Sequence, residues 1–149
     1  MRYLLDTNII SAFAPKKKPI RIDEQFSQWF EAHTETFYLA TISLVEIESG
    51  IHRLRRAGGE RRADDLSVWL LRIVELYASR IIALDVAIAI AAGGIEARAL
   101  ANGRPPQLAD VLVAATARVQ GLIVLTRNLR HFEPLDVTAL DPFKSFPEL

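Results

Sequence analysis

Cysteine is absent from this sequence of 149 residues. Its absence excludes a disulfide framework, a thiolate nucleophile and any zinc or iron–sulfur site built on Cys. Histidine is scarce, with three residues in the chain, and their spacing fits no metal-ligand motif. A metal ion bound by this protein would therefore be held by oxygen atoms or by one of these His.

Long uncharged hydrophobic runs are also missing. The apolar stretch from 81 to 92 is interrupted by Asp85, whereas a membrane-spanning helix needs about 18 or more apolar residues. Asp6 follows closely on Met1, and no positively charged leader precedes an apolar segment, so the sequence predicts no secretory signal. We expect a soluble, cytoplasmic protein without membrane attachment.

The chain has no excess charge of either sign. Its 18 Lys and Arg balance 18 Asp and Glu, which gives a formal net charge of zero. A polyanionic partner would therefore need a local basic patch. The candidates are the lysines and arginines at positions 16, 17, 18, 53, 55, 56, 61 and 62. The alternative, that these charges form solvated faces, stays open.

Half of the residues are hydrophobic, and the length suits one core. No repeat, low-complexity tract or linker divides the sequence, so residues 1–149 are predicted to form one domain. The hydrophobic pattern predicts helices and strands in alternation. The predicted strands cover 2–5, 36–40, 81–84, 122–126 and 136–140. The predicted helices cover 7–14, 23–33, 41–57, 60–79, 85–102 and 108–120.

Strands that are apolar on both faces and separated by helices predict a parallel α/β sheet covered on two sides. Ligands of such sheets bind beyond the carboxyl ends of the strands. Three carboxylates are predicted at that edge: Asp6 directly after the first strand, Glu46 in the helix after the second, and Asp110 in the first turn of a largely apolar helix. We therefore expect these three side chains to lie close together.

Carboxylates at close range repel one another unless a cation compensates, and Mg²⁺ prefers such oxygen ligands. Asn128 and Thr126, which follow the fourth strand, could orient water or ligands there. Other interpretations remain open, because Asp6 and Asp110 can cap helices. Glu46 can belong to an exposed stripe with Ser49 and Arg53.

Four segments, at 4–11, 42–51, 108–117 and 124–133, together resemble the PIN-domain ribonucleases. The resemblance is strongest to the toxins of VapBC-type toxin–antitoxin pairs and their FitB-like relatives. It implies a three-layer Rossmann-like domain with sheet order 3-2-1-4-5. It also implies cleavage of RNA by water that Mg²⁺ or Mn²⁺ activates, with 5′-phosphate and 3′-hydroxyl products.

The resemblance also assigns the site residues. Asp6, Glu46 and Asp110 match the family's acidic positions and would be catalytic residues and metal ligands. Asn128 falls at a fourth catalytic position, where relatives have Asp or Asn. Asn8 and Thr126 match residues that support the site. Asn128 at the fourth position, and His131 where many relatives have Asp, depart from the family pattern. The chain therefore lacks a full acidic quartet, and a second metal would bind weakly or arrive only with the substrate phosphate.

The partners implied by the resemblance are an RNA substrate, a VapB-like antitoxin, a second copy of the chain and, through the antitoxin, promoter DNA. Arg53, Arg55 and Arg56 are predicted to bind RNA, because Arg53 lies about two helical turns after Glu46 on the same face. Alternatively, these arginines contact the antitoxin or the second subunit. The apolar helices at 42–57 and 60–79 are candidates for the dimer interface.

Two other functions fit parts of the sequence. A phosphatase with an aspartyl nucleophile after the first strand would need Asp-x-Asp, but Asn8 replaces the second Asp. A non-catalytic module could keep the fold and bind only an antitoxin. Among the remaining polar residues, we expect His33, His52 and His131 to be surface or structural and Asp85 to cap a helix. Gly93 and Gly94 are expected to permit close helix packing.

Overall fold

The computed structural model describes residues 1–16 and 24–145. Its five strands form one parallel sheet in the order β3-β2-β1-β4-β5. The strands are β1 (Tyr3–Leu5), β2 (Phe37–Ala40), β3 (Ile81–Ile82), β4 (Ile123–Leu125) and β5 (Ala139–Leu140). The predicted sheet order is therefore confirmed.

Seven α-helices accompany the sheet in the described ranges. They are α1 (Thr7–Ala12), α2 (Glu24–Ala32), α3 (Thr41–Arg56), α4 (Glu60–Leu76), α5 (Val86–Ala101), α6 (Leu108–Gln120) and α7 (Leu129–Phe132). Short 3₁₀ turns cover Thr34–Thr36, Ala78–Arg80 and Glu133–Leu135. In this part of the chain, no helix is both long enough and apolar enough to cross a bilayer.

The sheet separates two hydrophobic clusters, because successive side chains of a strand point to opposite faces. Tyr3 and Leu5 of β1 pack with residues of α1, α2, α3 and α4. Leu4, between them, packs with residues of α5, α6 and α7. The predicted three-layer α/β architecture is therefore confirmed.

The central strands bring the ends of β1 and β4 side by side. Leu5 pairs with Leu125, and the Asp6 N–H donates to the Leu125 carbonyl at 3.0 Å. The chain continues into α1 after β1 and into a loop after β4. Polar residues that directly follow these two strands consequently meet at the carboxyl edge of the sheet.

Several predicted boundaries were too long. The first helix ends at Ala12, and the helix predicted to reach 79 ends at Leu76, where a 3₁₀ turn follows. The last strand begins at Ala139. Asp136, its predicted first residue, has a left-handed backbone (φ 49°), which an extended strand cannot contain. The second predicted helix is described from Glu24 onward, and Asp23 lies outside the described residues. The one-turn helix α7 was not predicted.

The expectation for Gly93 and Gly94 was wrong. Both residues are exposed on α5. A Cβ atom at Gly93 would meet no atom within 4 Å among the described residues, and one at Gly94 would meet only the end of the Arg98 side chain at 4.0 Å. These glycines therefore do not mediate close helix packing within the described structure.

Candidate active site

Asp6 lies directly after β1 and is the N-cap residue of α1. The residue is 5% exposed. Its Oδ1 accepts a hydrogen bond from the Thr7 N–H at 2.8 Å. Its Oδ2 accepts two more, from Asn8 Nδ2 and from the Thr126 hydroxyl, both at 2.7 Å. One carboxylate thus has the predicted capping position and also contacts both residues predicted to support it.

Asn8 and Thr126 connect Asp6 to the loop after β4. The Thr126 hydroxyl accepts from Asn8 Nδ2 at 3.2 Å and from the Asn128 N–H at 3.0 Å. Asn8 Oδ1 accepts from the Arg127 N–H at 3.1 Å. The ends of β1 and β4 are therefore held in a fixed relation by side chains that also hydrogen-bond to Asp6.

Glu46 lies on α3 and is exposed. Its Oε1 accepts a hydrogen bond from the Thr7 hydroxyl at 2.6 Å. The neighbouring Val45 is likewise 60% exposed, so this side of α3 faces solvent although it carries an apolar residue. Ser49 and Arg53 are also exposed, as in the alternative of an exposed stripe. Through the hydrogen bond to its Oε1, Glu46 nevertheless contacts Thr7, the first residue of α1, which directly follows Asp6.

Asp110 lies in the first turn of α6, whose N-cap residue Gln107 makes no side-chain capping bond. The Asp110 side chain is 15% exposed, and its Oδ2 lies 3.1 Å from His131 Nδ1. The carboxylate is therefore largely buried and has a partner in His131. The prediction that treated His131 as a surface or structural residue missed this contact, because α7, which carries His131, was not predicted.

The pKa of Asp6 responds to its surroundings. Burial, as the largest cause, raises the pKa of Asp6 above its usual range. The hydrogen bonds from Thr126 and Thr7 lower this pKa, and the negative charges of Asp110 and Glu46 raise it again. Asp110 and Glu46 therefore lie near enough to Asp6 for their charges to disfavour its ionised form, and the predicted shared site of the three side chains stays a prediction.

Asn128 occupies the N-cap position of α7, but its side chain makes no capping hydrogen bond. The residue is exposed, and its backbone N–H rather than its amide group contacts Thr126. A catalytic role for the Asn128 side chain therefore stays a prediction.

The arginines of α3 differ in their surroundings. Arg53 and Arg56 are exposed, whereas Arg55 Nη1 forms an ion pair with Asp64 Oδ1 of α4 at 2.7 Å. A cavity of about 300 Å³ beside Glu46 is lined by two other cations, Lys16 and Arg62. Lys17 and Lys18 lie outside the described residues.

The donor set suits a hard divalent cation in its chemistry. Asp6, Glu46 and Asp110 supply carboxylate oxygens, and a cation between them would offset the repulsion that raises the Asp6 pKa. In residues 1–16 and 24–145, no three His, Asp or Glu side chains already stand in position to hold one ion. Glu46 is instead hydrogen-bonded to Thr7, and Asp110 contacts His131.

The sequence and the fold are similar to those of known proteins. The chain is 32% identical over 135 residues to the tRNA(fMet)-specific endonuclease VapC of Shigella flexneri, covering 89% of this chain and 91% of the relative. It is 30% identical over 143 residues to Toxin FitB of Neisseria gonorrhoeae, covering 94% and 97%. The crystal structure of FitAcB from Neisseria gonorrhoeae superposes with a TM-score of 0.80 at 30% identity, covering 95% of this chain and 98% of that chain.

The model of the PIN domain family matches residues 3–136. This match spans every element that carries a candidate site residue, from β1 to α7. The chain therefore belongs to the PIN domain family.

Proposed function

We propose that this protein is a ribonuclease that acts as the toxin of a toxin–antitoxin pair. The observation that carries the proposal is the buried Asp6 carboxylate, which accepts three hydrogen bonds and is repelled by the charges of Asp110 and Glu46. Such a cluster at the carboxyl edge of a parallel sheet is suited to phosphodiester hydrolysis. We also propose that the protein acts in the cytoplasm, where such an RNA substrate would be found.

Asp6, Glu46 and Asp110 would hold Mg²⁺ or Mn²⁺. When bound, the cation supplies Lewis acidity toward water and offsets the charge of the phosphate. Thr126 and Asn8 fix the Asp6 carboxylate through its Oδ2. His131 contacts Oδ2 of Asp110, so the second carboxylate also has a defined orientation. The Asn128 side chain is proposed to contact the substrate side of the same site.

The proposed partners follow from the similarity to VapC and FitB proteins. A VapB-like antitoxin would bind this chain, and promoter DNA would be contacted through that antitoxin. We also propose a homodimer. Val68, Leu71 and Leu76 of α4 are exposed, so the helix predicted to contribute to a dimer interface does carry apolar surface. RNA binding by Arg53, Arg55 and Arg56 remains a proposal from the sequence.

The direct test is cleavage of a labelled RNA by purified Asp6→Asn and Asp110→Asn variants in the presence of Mg²⁺ or Mn²⁺. Both substitutions preserve side-chain volume and remove one negative charge. We expect cleavage to fall at least about 100-fold, because charged groups at the reacting centre contribute on the order of several kcal/mol.

Thermal melting and circular dichroism of each variant serve as the folding control. Full cleavage by a folded Asp6→Asn, Asp110→Asn double variant would overturn the assignment of the site. A wild-type protein that binds its antitoxin but cleaves no RNA would instead favour the non-catalytic module.

A further inference from the structure

A groove beside Asp110 is formed by two adjoining cavities of about 330 and 220 Å³. Both cavities are lined by Arg130 and His131, which join them. The larger also includes Asp110 and Arg104, and the smaller includes Arg127 and Lys144. We call this surface the α7 groove, because α7 carries the two shared residues. One end of the groove thus reaches a proposed catalytic carboxylate.

The α7 groove is rich in cations, although the protein has no net charge. Two of the cations have acidic partners: Arg104 Nη2 lies 3.3 Å from Glu133, and Lys144 Nζ lies 4.0 Å from Asp141. Arg127 and Arg130 are exposed, and neither forms an ion pair with the described residues. These two guanidinium groups are therefore available to an external anion.

The positions of the two arginines are coupled to the carboxylates. The Arg127 N–H donates to Asn8 Oδ1, and Asn8 also donates to Asp6. The Arg127 guanidinium lies over the Phe143 ring at 5.0 Å, which restricts its orientation. Arg130 precedes His131, which contacts Asp110 at 3.1 Å. Hydrogen bonds of the Arg127 backbone and of His131, the residue after Arg130, therefore connect the groove to the site.

We propose that the α7 groove binds the sugar-phosphate backbone of the RNA on one side of the cleaved bond, with Arg127 and Arg130 each contacting a phosphate. The proposal rests on the proposed ribonuclease function. Arginine forms bidentate hydrogen bonds with phosphate oxygens, and adjacent phosphates along the strand would follow the two joined cavities. This location differs from the α3 patch predicted from the sequence, where Arg55 is already paired with Asp64.

The test is the salt dependence of binding of a labelled single-stranded RNA oligonucleotide. All variants are made on an Asp110→Asn background, so that the RNA remains intact. Arg127→Ala and Arg130→Ala should each lower the slope of log affinity against log salt by roughly 0.7 to 1, and the double variant by about twice as much. Arg130→Lys is the matched control, because it keeps the charge and should keep the slope.

Arg130→Ala is the cleaner of the two variants. No side-chain hydrogen bond, ion pair or ring contact of Arg130 occurs in the described structure, so its removal should leave the melting temperature unchanged. Arg127→Ala loses the contact with Phe143 but keeps the backbone bond to Asn8. Unchanged slopes in both variants, or loss of slope in Arg53→Ala alone, would overturn the proposal and favour the α3 patch.

Cleavage by the proteins that retain Asp110 separates this inference from the proposed function. RNA cleavage with slopes that do not depend on Arg127 or Arg130 would overturn the groove alone. Binding that depends on both arginines, without cleavage by the wild-type protein, would overturn the ribonuclease assignment alone. Slopes that stay unchanged while antitoxin affinity falls would reassign the α7 groove to the protein partner.

Discussion

At the scale of single residues, the candidate site balances opposing effects on one side chain. Burial of Asp6 disfavours its ionised form, and three donors favour it. The charges of Asp110 and Glu46 then act against ionisation. Because the folded pKa of Asp6 is raised, Asp6 contributes stability at low pH that is lost as the pH rises through its unfolded value toward its folded value.

Asp110→Asn should therefore stabilise the metal-free protein. The substitution removes one of the charges that repel Asp6, and Asn Oδ1 can still accept from His131. We expect a gain on the order of 1 kcal/mol near neutral pH, or about 2 to 4 °C in melting temperature. The gain should shrink as the pH falls through the folded pKa of Asp6, where that carboxylate is neutral.

Melting curves of the wild type and Asp110→Asn in chelator, recorded from acidic to neutral pH, measure this difference. Asp65→Asn is a suitable comparison, because it makes the same substitution at an exposed carboxylate of α4. A difference between wild type and Asp110→Asn that is constant across the pH range would contradict the repulsion of Asp6.

Some site residues could be predicted from the sequence and others could not. Asp6 was predictable because it ends a short apolar strand, and Asn8 and Thr126 follow strands that are neighbours in the sheet. The exposure of Glu46 was not predictable, because the apolar residues of α3 do not indicate that Val45, next to Glu46, faces solvent. The contact of His131 with Asp110 joins residues 21 positions apart, so local sequence spacing could not predict it.

At the scale of elements, capping residues were easier to predict than element lengths. Asp85 was expected to cap a helix, and its Oδ1 accepts from the Ile88 N–H at 2.9 Å at the start of α5. In contrast, β3 contains two residues rather than four. An apolar run predicts which residues can form a strand. How many of them do so depends on backbone pairing with the neighbouring strand.

The capping hydrogen bond of Asp85 predicts an effect on stability without an effect on RNA cleavage. Asp85→Ala removes the side-chain acceptor and should cost about 1 kcal/mol, or roughly 2 to 4 °C in melting temperature. Asp85→Ser keeps a capping oxygen and should recover most of the loss. Asp85 follows β3, which β2 separates from β1, so RNA cleavage should be unchanged.

Thermal melting and a cleavage assay on both Asp85 variants test these statements together. If Asp85→Ala loses RNA cleavage at a temperature where the variant is fully folded, Asp85 contributes to the active site and the prediction is wrong. Equal melting temperatures for Asp85→Ala and wild type would show that the cap contributes little to α5.

At the scale of the whole molecule, the topology explains why distant segments build one site. The parallel order places β1 between β2 and β4, so that the segments after these strands meet at one edge. This arrangement follows from the alternation of strands and helices. The sequence therefore sufficed for the architecture and for placing Asp6, Asn8 and Thr126 at that edge, but the charged groove beside α7 depends on loop conformation and could not be predicted.

The same topology predicts how the folded state responds to divalent cations. Asp6, Glu46 and Asp110 come from separate segments that unfolding disperses, so a cation that they share binds the folded state far better than the unfolded chain. Stabilisation then follows RT ln(1 + [L]/Kd), or about 2.7 kcal/mol at 100 times Kd. Mg²⁺ or Mn²⁺ should raise the wild-type melting temperature by several degrees and have little effect on Asp110→Asn. Without a divalent cation, Asp110→Asn should melt at a higher temperature than the wild type. With the cation bound, the wild type should melt at the higher temperature. The titration is made at constant ionic strength, with NaCl as the compensating salt. Equal shifts in the melting temperatures of the two proteins would show that the cations act by general charge screening and not at a shared site.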